Sequence, residues 1–268
     1  MIRTGTKEYL INPPGQKSNM NIEFKETFLT QWKKYFADAE LPVVFYYTDG
    51  EGGAEWAEKP KGRSCIICEL AKVRSGRSLV YNAERIVCGG ARRYLGYTDK
   101  VRPGFEYFLS CGNEQIEGER YLRTPEQVKE LMKNQHIIPG AGRNIVFKRW
   151  DNLDENDEPD VAIFFAKPDV LSGLFTLANF DQIDPNGTIT PFGSGCGSIV
   201  YYPYLESKSE SQKAVIGMFD PSARPCVPEN ILTIAVPMKR FEKMISYMDE
   251  SFLITETWGT IRKRVDKN

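Results

Sequence analysis

Val87-Cys88-Gly89-Gly90-Ala91 and, in the second half of the chain, Gly195-Cys196-Gly197-Ser198 are the stretches whose reading decides the fold. Each cysteine–glycine step falls at the same point in a similar order of predicted strands and helices. The chain therefore reads as an internal duplication: an α/β (or α+β) protein of two similar half-domains, with mixed sheets and packed helices. Related halves pack about a pseudo-twofold axis, which would bring Cys88 and Cys196 to a shared central cleft.

The rest of the composition fits a globular body of that kind. A chain of 268 residues has room for a real core, and 41% hydrophobic with 26% charged residues is ordinary for a folded protein. Thirty-five basic against 36 acidic residues leave a net charge of −1, which removes the electrostatic case for nucleic acid or an acidic membrane as partner. A small molecule is the expected partner, and a homo-oligomer is compatible with the composition. No stretch approaches the roughly 20 apolar residues of a membrane helix. Met1 to Met20 contains Pro13-Pro14-Gly15 and no apolar signal core, so it reads as a peripheral leader, with Met20 an alternative start. The expected compartment is the cytoplasm, where the six cysteines would stay free unless they bind metal or do chemistry.

In the first half, Phe24, Phe28, Trp32 and Phe36 recur at helical spacing, and Pro42 to Tyr47 is a β-branched and aromatic strand. A helix over Cys68 to Arg74 stops at Gly76, a strand covers Ser78 to Tyr81, and a helix opens at Cys88. Strands are expected at Phe105 to Leu109 and near Tyr121. A helix starts at Thr124-Pro125-Glu126-Gln127, which supplies an N-cap, a proline at N1 and a capping-box glutamine. The second half offers strands at Val161 to Phe165, Thr188 to Thr190, Ala214 to Phe219 and Ile231 to Val236, with helices from Pro168 to Phe180 and from Cys196. Pro237 then opens a terminal helix with Phe241, Met244, Ile245, Met248 and Phe252 on one stripe, matched to the helix at Pro125. The acidic run Asp151 to Asp160 lacks the central glycine and closing glutamate of a calcium loop. It is the boundary between halves 21–150 and 151–268.

Chemistry is expected around the cysteines. A thiol at a helix start feels unpaired N–H groups that lower its pKa, and the same N–H groups make an anion nest. The candidate ligand-binding set is Cys88, Gly89, Gly90, Arg92, Cys196, Gly197, Asp220 and Arg224, with Arg93 adding positive potential. Against it stands plain burial, since cysteine is among the most buried residues. Asp220 and Arg224 could equally pair with each other. Cys65-Ile66-Ile67-Cys68 has metal-knuckle or redox spacing, but no second C-x2-C or paired histidines complete it. The isoleucines between them look core-facing. His136 is the only histidine and reads as a helix-end residue. No phosphate-binding loop is present.

Cys68-x2-Ala71-x4-Gly76, Cys88-x2-Ala91-x3-Leu95-Gly96, Gly195-Cys196, Asp220-x2-Ala223-Arg224 and Pro228-x3-Leu232 together resemble the succession in the domain of unknown function 169 family, an uncharacterised prokaryotic and archaeal group. The resemblance runs from about Phe24 to the terminal helix and singles out Cys68, Cys88 and Cys196 among the thiols. Cys65, Cys111 and Cys226 look like extras. No activity comes with the family, so three readings stand. The first is a small anionic molecule or cofactor bound in a cysteine- and glycine-lined cleft between the halves, as in a redox accessory. The second is a thiol- or metal-dependent enzyme, with zinc or an iron–sulfur cluster on Cys68, Cys88 and Cys196. The third is an oligomeric scaffold without ligand.

Overall fold

The computed structural model describes residues 21–62 and 64–265, so the expected leader lies outside the described residues. The strands are β1 (Val43–Thr48), β2 (Glu55–Trp56), β3 (Leu79–Asn82), β4 (Asn144–Arg149), β5 (Val161–Ala166), β6 (Thr188–Ile189), β7 (Ala214–Gly217) and β8 (Leu232–Pro237). They form an eight-stranded mixed sheet in the order β2-β3-β4-β1-β5-β8-β7-β6. At its centre β1 and β5 run antiparallel, with Val43 opposite Ile163, Val44 opposite Ala162 and Phe45 opposite Val161. Outward from this seam β4 and β8 pair antiparallel with β1 and β5, and β3 and β7 continue antiparallel. The edge strands β2 and β6 lie parallel to β3 and β7. Strand order and pairing sense are thus the same read from either edge.

The central strands are nearly continuous apolar runs because both faces of the sheet are covered. Val43, Phe45 and Tyr47 of β1 point to one face with Ile163 and Phe165 of β5. Over them lie α2 (Ile66–Arg74), α3 (Gly89–Tyr94), a π-helical turn at Gly197–Tyr201 and α7 (Tyr202–Ser207). Val44, Ala162, Phe164 and Val236 point to the other face. There α1 (Ile22–Phe36), α6 (Pro168–Asn179), α8 (Met238–Ser246) and α9 (Glu256–Val265) bury their apolar sides. Lys148 of β4 also points into this second layer, where Asp157 at 2.8 Å and Asp154 at 3.4 Å compensate its charge.

Several expectations are corrected. Phe105–Leu109 is a short helix, α4, and not a strand. It starts at Gly104 in a left-handed conformation (φ 77°), and the amides of Tyr107 and Phe108 bond back to the Gly104 carbonyl. Aromatic side chains favour strands only where a pleated, half-buried surface is available, and here Phe105 meets Phe108 one turn on, with their rings tilted and 6.2 Å apart. Tyr121 lies in a loop whose amide bonds to Leu109. β4 is a full central strand that the sequence reading passed over, and it includes the buried Lys148. The stripe from Phe241 belongs to α8 only as far as Ser246; Phe252 opens a separate 3-10 turn that leads into α9.

The matching of halves also changes. α5 (Pro125–Asn134) does have its proline and capping box, but it lies between β3 and β4, whereas α8 follows β8. Pro125 and Pro237 are therefore not counterparts. The helix opening at Cys88 follows β3, while the π turn opening at Cys196 lies between β6 and β7. The element in that place in the first half is α2, between β2 and β3, whose N-cap is Cys65. By element order the counterpart of Cys196 is Cys65.

α9 is locked by Trp258, which is 2% exposed, packs edge-on against Phe36 at 5.3 Å and donates its indole N–H to the Tyr35 carbonyl at 2.9 Å. Gly173 of α6 leaves the room for this ring, since a Cβ there would run into the Trp258 indole itself and meet Phe36 at 2.9 Å. Trp258→Ala is expected to destabilise the fold by about 3–5 kcal/mol in urea denaturation. A loss under about 0.5 kcal/mol, typical of an exposed site, would show that the α1–α9 contact is dispensable.

Candidate functional site at the cysteine cluster

The two halves meet over one face of the sheet at a group of cysteines. Cys68, in the first turn of α2, is disulfide-bonded to Cys226 in a 3-10 turn at Arg224–Cys226, a link across 158 residues of sequence. Cys65 at the α2 N-cap and Cys88 at the α3 N-cap are half-buried free thiols, and Cys196 is a buried one. Cys65, Cys88 and Asp220 lie close enough to Cys196 that each of them raises its pKa. α3 reaches the π turn through Tyr94, whose ring lies 3.5 Å from where a Cβ on Gly197 would stand.

Asp220 holds the second-half loop in place. One of its carboxylate oxygens accepts from the Gly195 amide at 2.9 Å, and the other accepts from Ser222 Oγ at 2.8 Å and from Tyr121 Oη at 3.0 Å. Tyr121 accepts in turn from the Ser222 amide at 3.0 Å. A first-half loop is thereby fastened to the turn after β7. Gly195 is required by packing, because a Cβ would come within 2.8 Å of Ala223. Met218, just after β7, has φ 68°, a costly value for a side chain with a Cβ and one found where structure over-determines the backbone.

The expected lowering of the Cys196 pKa is corrected. Burial pushes this thiol up to about 12, and the hydroxyl of Ser194, 3.2 Å from its sulfur, offsets only part of that. Since the raised value belongs to an acid, the neutral thiol persists at neutral pH and thiolate appears only as pH rises towards 12. Burial also raises Cys65, while the amides of Ile67 and Cys68 pull it back down without closing a capping hydrogen bond.

The arginines do not face an open cleft. Arg92 donates to the Ile86 carbonyl at 2.5 Å, and buried Arg93 donates to the carbonyls of Asp99 and Gln135. Arg224 bonds the carbonyls of Met218, Pro228, Glu229 and Ile231, so it closes its own loop and does not pair with Asp220. A pocket lined by Ser64, Ile66, Glu69, Arg85 and Val87 among others, with no cysteine in its lining, has a volume of only about 10 Å³, room for a single water. Gly89 and Gly90 do have open space where a Cβ would stand. A larger groove of about 270 Å³ lies under α6, lined by Ala166, Leu171, Phe175 and Ile216 among others, with no cysteine or arginine in it.

The metal set of Cys68, Cys88 and Cys196 is corrected too, because the Cys68 sulfur is bonded to Cys226. Among the described residues no three His, Cys, Asp or Glu side chains form a group that could hold a metal ion. The C-x2-C spacing had flagged Cys65, whereas nothing local in the sequence marks Cys226, Ser194 or Tyr121 as members of the site.

These features define a mixed α/β protein with a disulfide-centred thiol cluster between the halves of one sheet. The chain belongs to the DUF169 family, described as an uncharacterised ArCR, whose model matches residues 38–247 and so spans all eight strands. No curated protein and no solved structure matches it. Among the described residues no helix is long and apolar enough to cross a membrane.

Two outcomes follow from this geometry. Mass-resolved alkylation of the folded protein at neutral pH should label exposed Cys111 first and Cys196 last, with Cys196 labelling appearing on unfolding. Early labelling of Cys196 would show that the burial described is wrong. Asp220→Ala, which leaves the Gly195 amide and the Tyr121 hydroxyl proton without their acceptor, should cost about 3 kcal/mol, and Tyr121→Phe about 1 kcal/mol. Equal, negligible losses in denaturant titration would rule out the role assigned to this carboxylate.

Proposed function

We propose that the chain is a thiol–disulfide redox protein in which Cys68 and Cys226 form the reversible couple. The observation that carries this reading is the bond itself. It joins a helix of the first half to a turn of the second, with the free thiols Cys65, Cys88 and Cys196 grouped around it. A couple of this kind exchanges electrons through its sulfurs and needs no drug-sized pocket. The strained backbone at Met218 and the Asp220 clamp fix the turn that presents Cys226.

The other readings find less support. The positive side chains expected to draw an anionic ligand, Arg92, Arg93 and Arg224, are engaged by backbone carbonyls. A zinc or iron–sulfur site on Cys68, Cys88 and Cys196 is blocked while Cys68 is bonded to Cys226.

Folded protein equilibrated across glutathione redox buffers, then quenched in acid and alkylated, tests the proposal. Oxidised protein should show four free thiols, Cys65, Cys88, Cys111 and Cys196, and reduction should add Cys68 and Cys226 together in one two-electron transition. The reading fails if the pair stays bonded until the protein unfolds, or stays free in fully oxidised buffer.

A further inference from the structure

Cys65 is the free thiol nearest in sequence to the Cys68–Cys226 bond, at the start of the same helix. It is the N-cap of α2, and Cys68 is the third residue of that helix. The two thiols therefore flank a single helical turn, and the Cys65 sulfur feels the backbone amide of Cys68 itself. The amides of Ile67 and Cys68 favour negative charge on the Cys65 sulfur, partly offsetting its burial. Cys65 and Cys88, the N-caps of α2 and α3, are half-buried and Cys196 is buried; of the two half-buried thiols only Cys65 opens the helical turn that carries Cys68.

Resting on the redox reading above, we infer that Cys65 is the internal nucleophile of this site and that the chain has two oxidised forms, one bonded Cys68–Cys226 and the other Cys65–Cys68. The Cys65 thiolate attacks Cys68 Sγ; the Cys65–Cys68 bond forms as the Cys68–Cys226 bond breaks. The electron pair leaves on Cys226 Sγ, which takes up the proton that Cys65 released. No outside oxidant or reductant is consumed.

The exchange has a structural consequence. Cys68–Cys226 ties α2 of the first half to the loop between β7 and β8 of the second, whereas Cys65–Cys68 lies within one helical turn. Moving the bond leaves that loop held by noncovalent contacts alone, among them the carbonyl bonds of Arg224 and the carboxylate bonds of Asp220. The site would thus convert a covalent tie between halves into a local one without losing its oxidation state.

Peptide mapping decides the matter, because Cys65 and Cys68 share the tryptic peptide Ser64–Lys72 and Cys226 lies on Ala214–Lys239, where Pro225 protects the bond after Arg224. Oxidised protein is held in mildly alkaline buffer, quenched in acid, unfolded, alkylated and digested. A fraction of the two peptides should separate, Ser64–Lys72 unalkylated and lighter by its two thiol hydrogens, and Ala214–Lys239 alkylated at Cys226. In Cys65→Ser the peptides should stay linked. Oxidised glutathione should close Cys65–Cys68 in Cys226→Ser. Release of Cys226 in Cys65→Ser equal to that of the parent, migration of the bond to Cys88, or full alkylation of Cys65 and Cys68 in oxidised Cys226→Ser would each overturn the assignment. A chain that passes the glutathione titration yet shows no migration loses this inference alone; a chain in which Cys68 and Cys226 never bond loses both.

Discussion

The structure depends on the antiparallel contact between β1 and β5. Val44 opposite Ala162 is the middle of a three-pair ladder that turns two four-stranded sets into one continuous sheet. Each set alone would expose a long apolar edge, and such an edge is a site for association with other chains. Pairing the two inner edges removes both liabilities and leaves only the two-residue strands β2 and β6 at the rims. An antiparallel pairing also places counterpart elements on the same face of the sheet. That is why α2 and the π turn before α7 lie over one common core.

The cysteine cluster follows from this placement. Helical turns that open over the same face at the join bring their first residues towards one another, and those residues include Cys65 and Cys196. The loops after β3 and β7 arrive over the same layer with Cys88 and Cys226. Burial then separates the thiols chemically: Cys196 is held protonated, Cys65 stays half-buried beside two amides, and Cys68 and Cys226 are joined. Helix-start electrostatics acts on all such thiols, but desolvation outweighs it wherever the sulfur is sealed from water.

The same competition explains which parts of the site were legible in the sequence. Cys88 as the residue opening a helix, and Cys196 as the one opening the next helical turn, were both readable from glycine placement. So was the aromatic face of α1, because helical periodicity reports which side must be buried. Their pKa values were not readable, since depth depends on what other segments cover them. Arg92, Arg93 and Arg224 looked like anion receptors because a sequence shows charge and not the carbonyls that surround it. β4 and the helix at Phe105 were misjudged for a related reason: strand character belongs to the neighbours a segment finds, and Lys148 can lie in a central strand only because Asp157 waits beside it.

The sequence by itself determined a globular composition, the alternation of strands and helices, the strong caps and stops such as Thr124 and Gly76, and the resemblance to an uncharacterised family. It also pointed to cysteine–glycine turns as the place to look. Tertiary structure alone decided that Cys65, rather than Cys88, takes the place of Cys196 in the strand order, and that Cys68 meets Cys226 across 158 residues. Local signals encode local geometry, because caps, turns and periodicity act within a few residues. Partners brought together by sheet order are set by the seam, and no window of sequence on either side of it contains both halves of the contact.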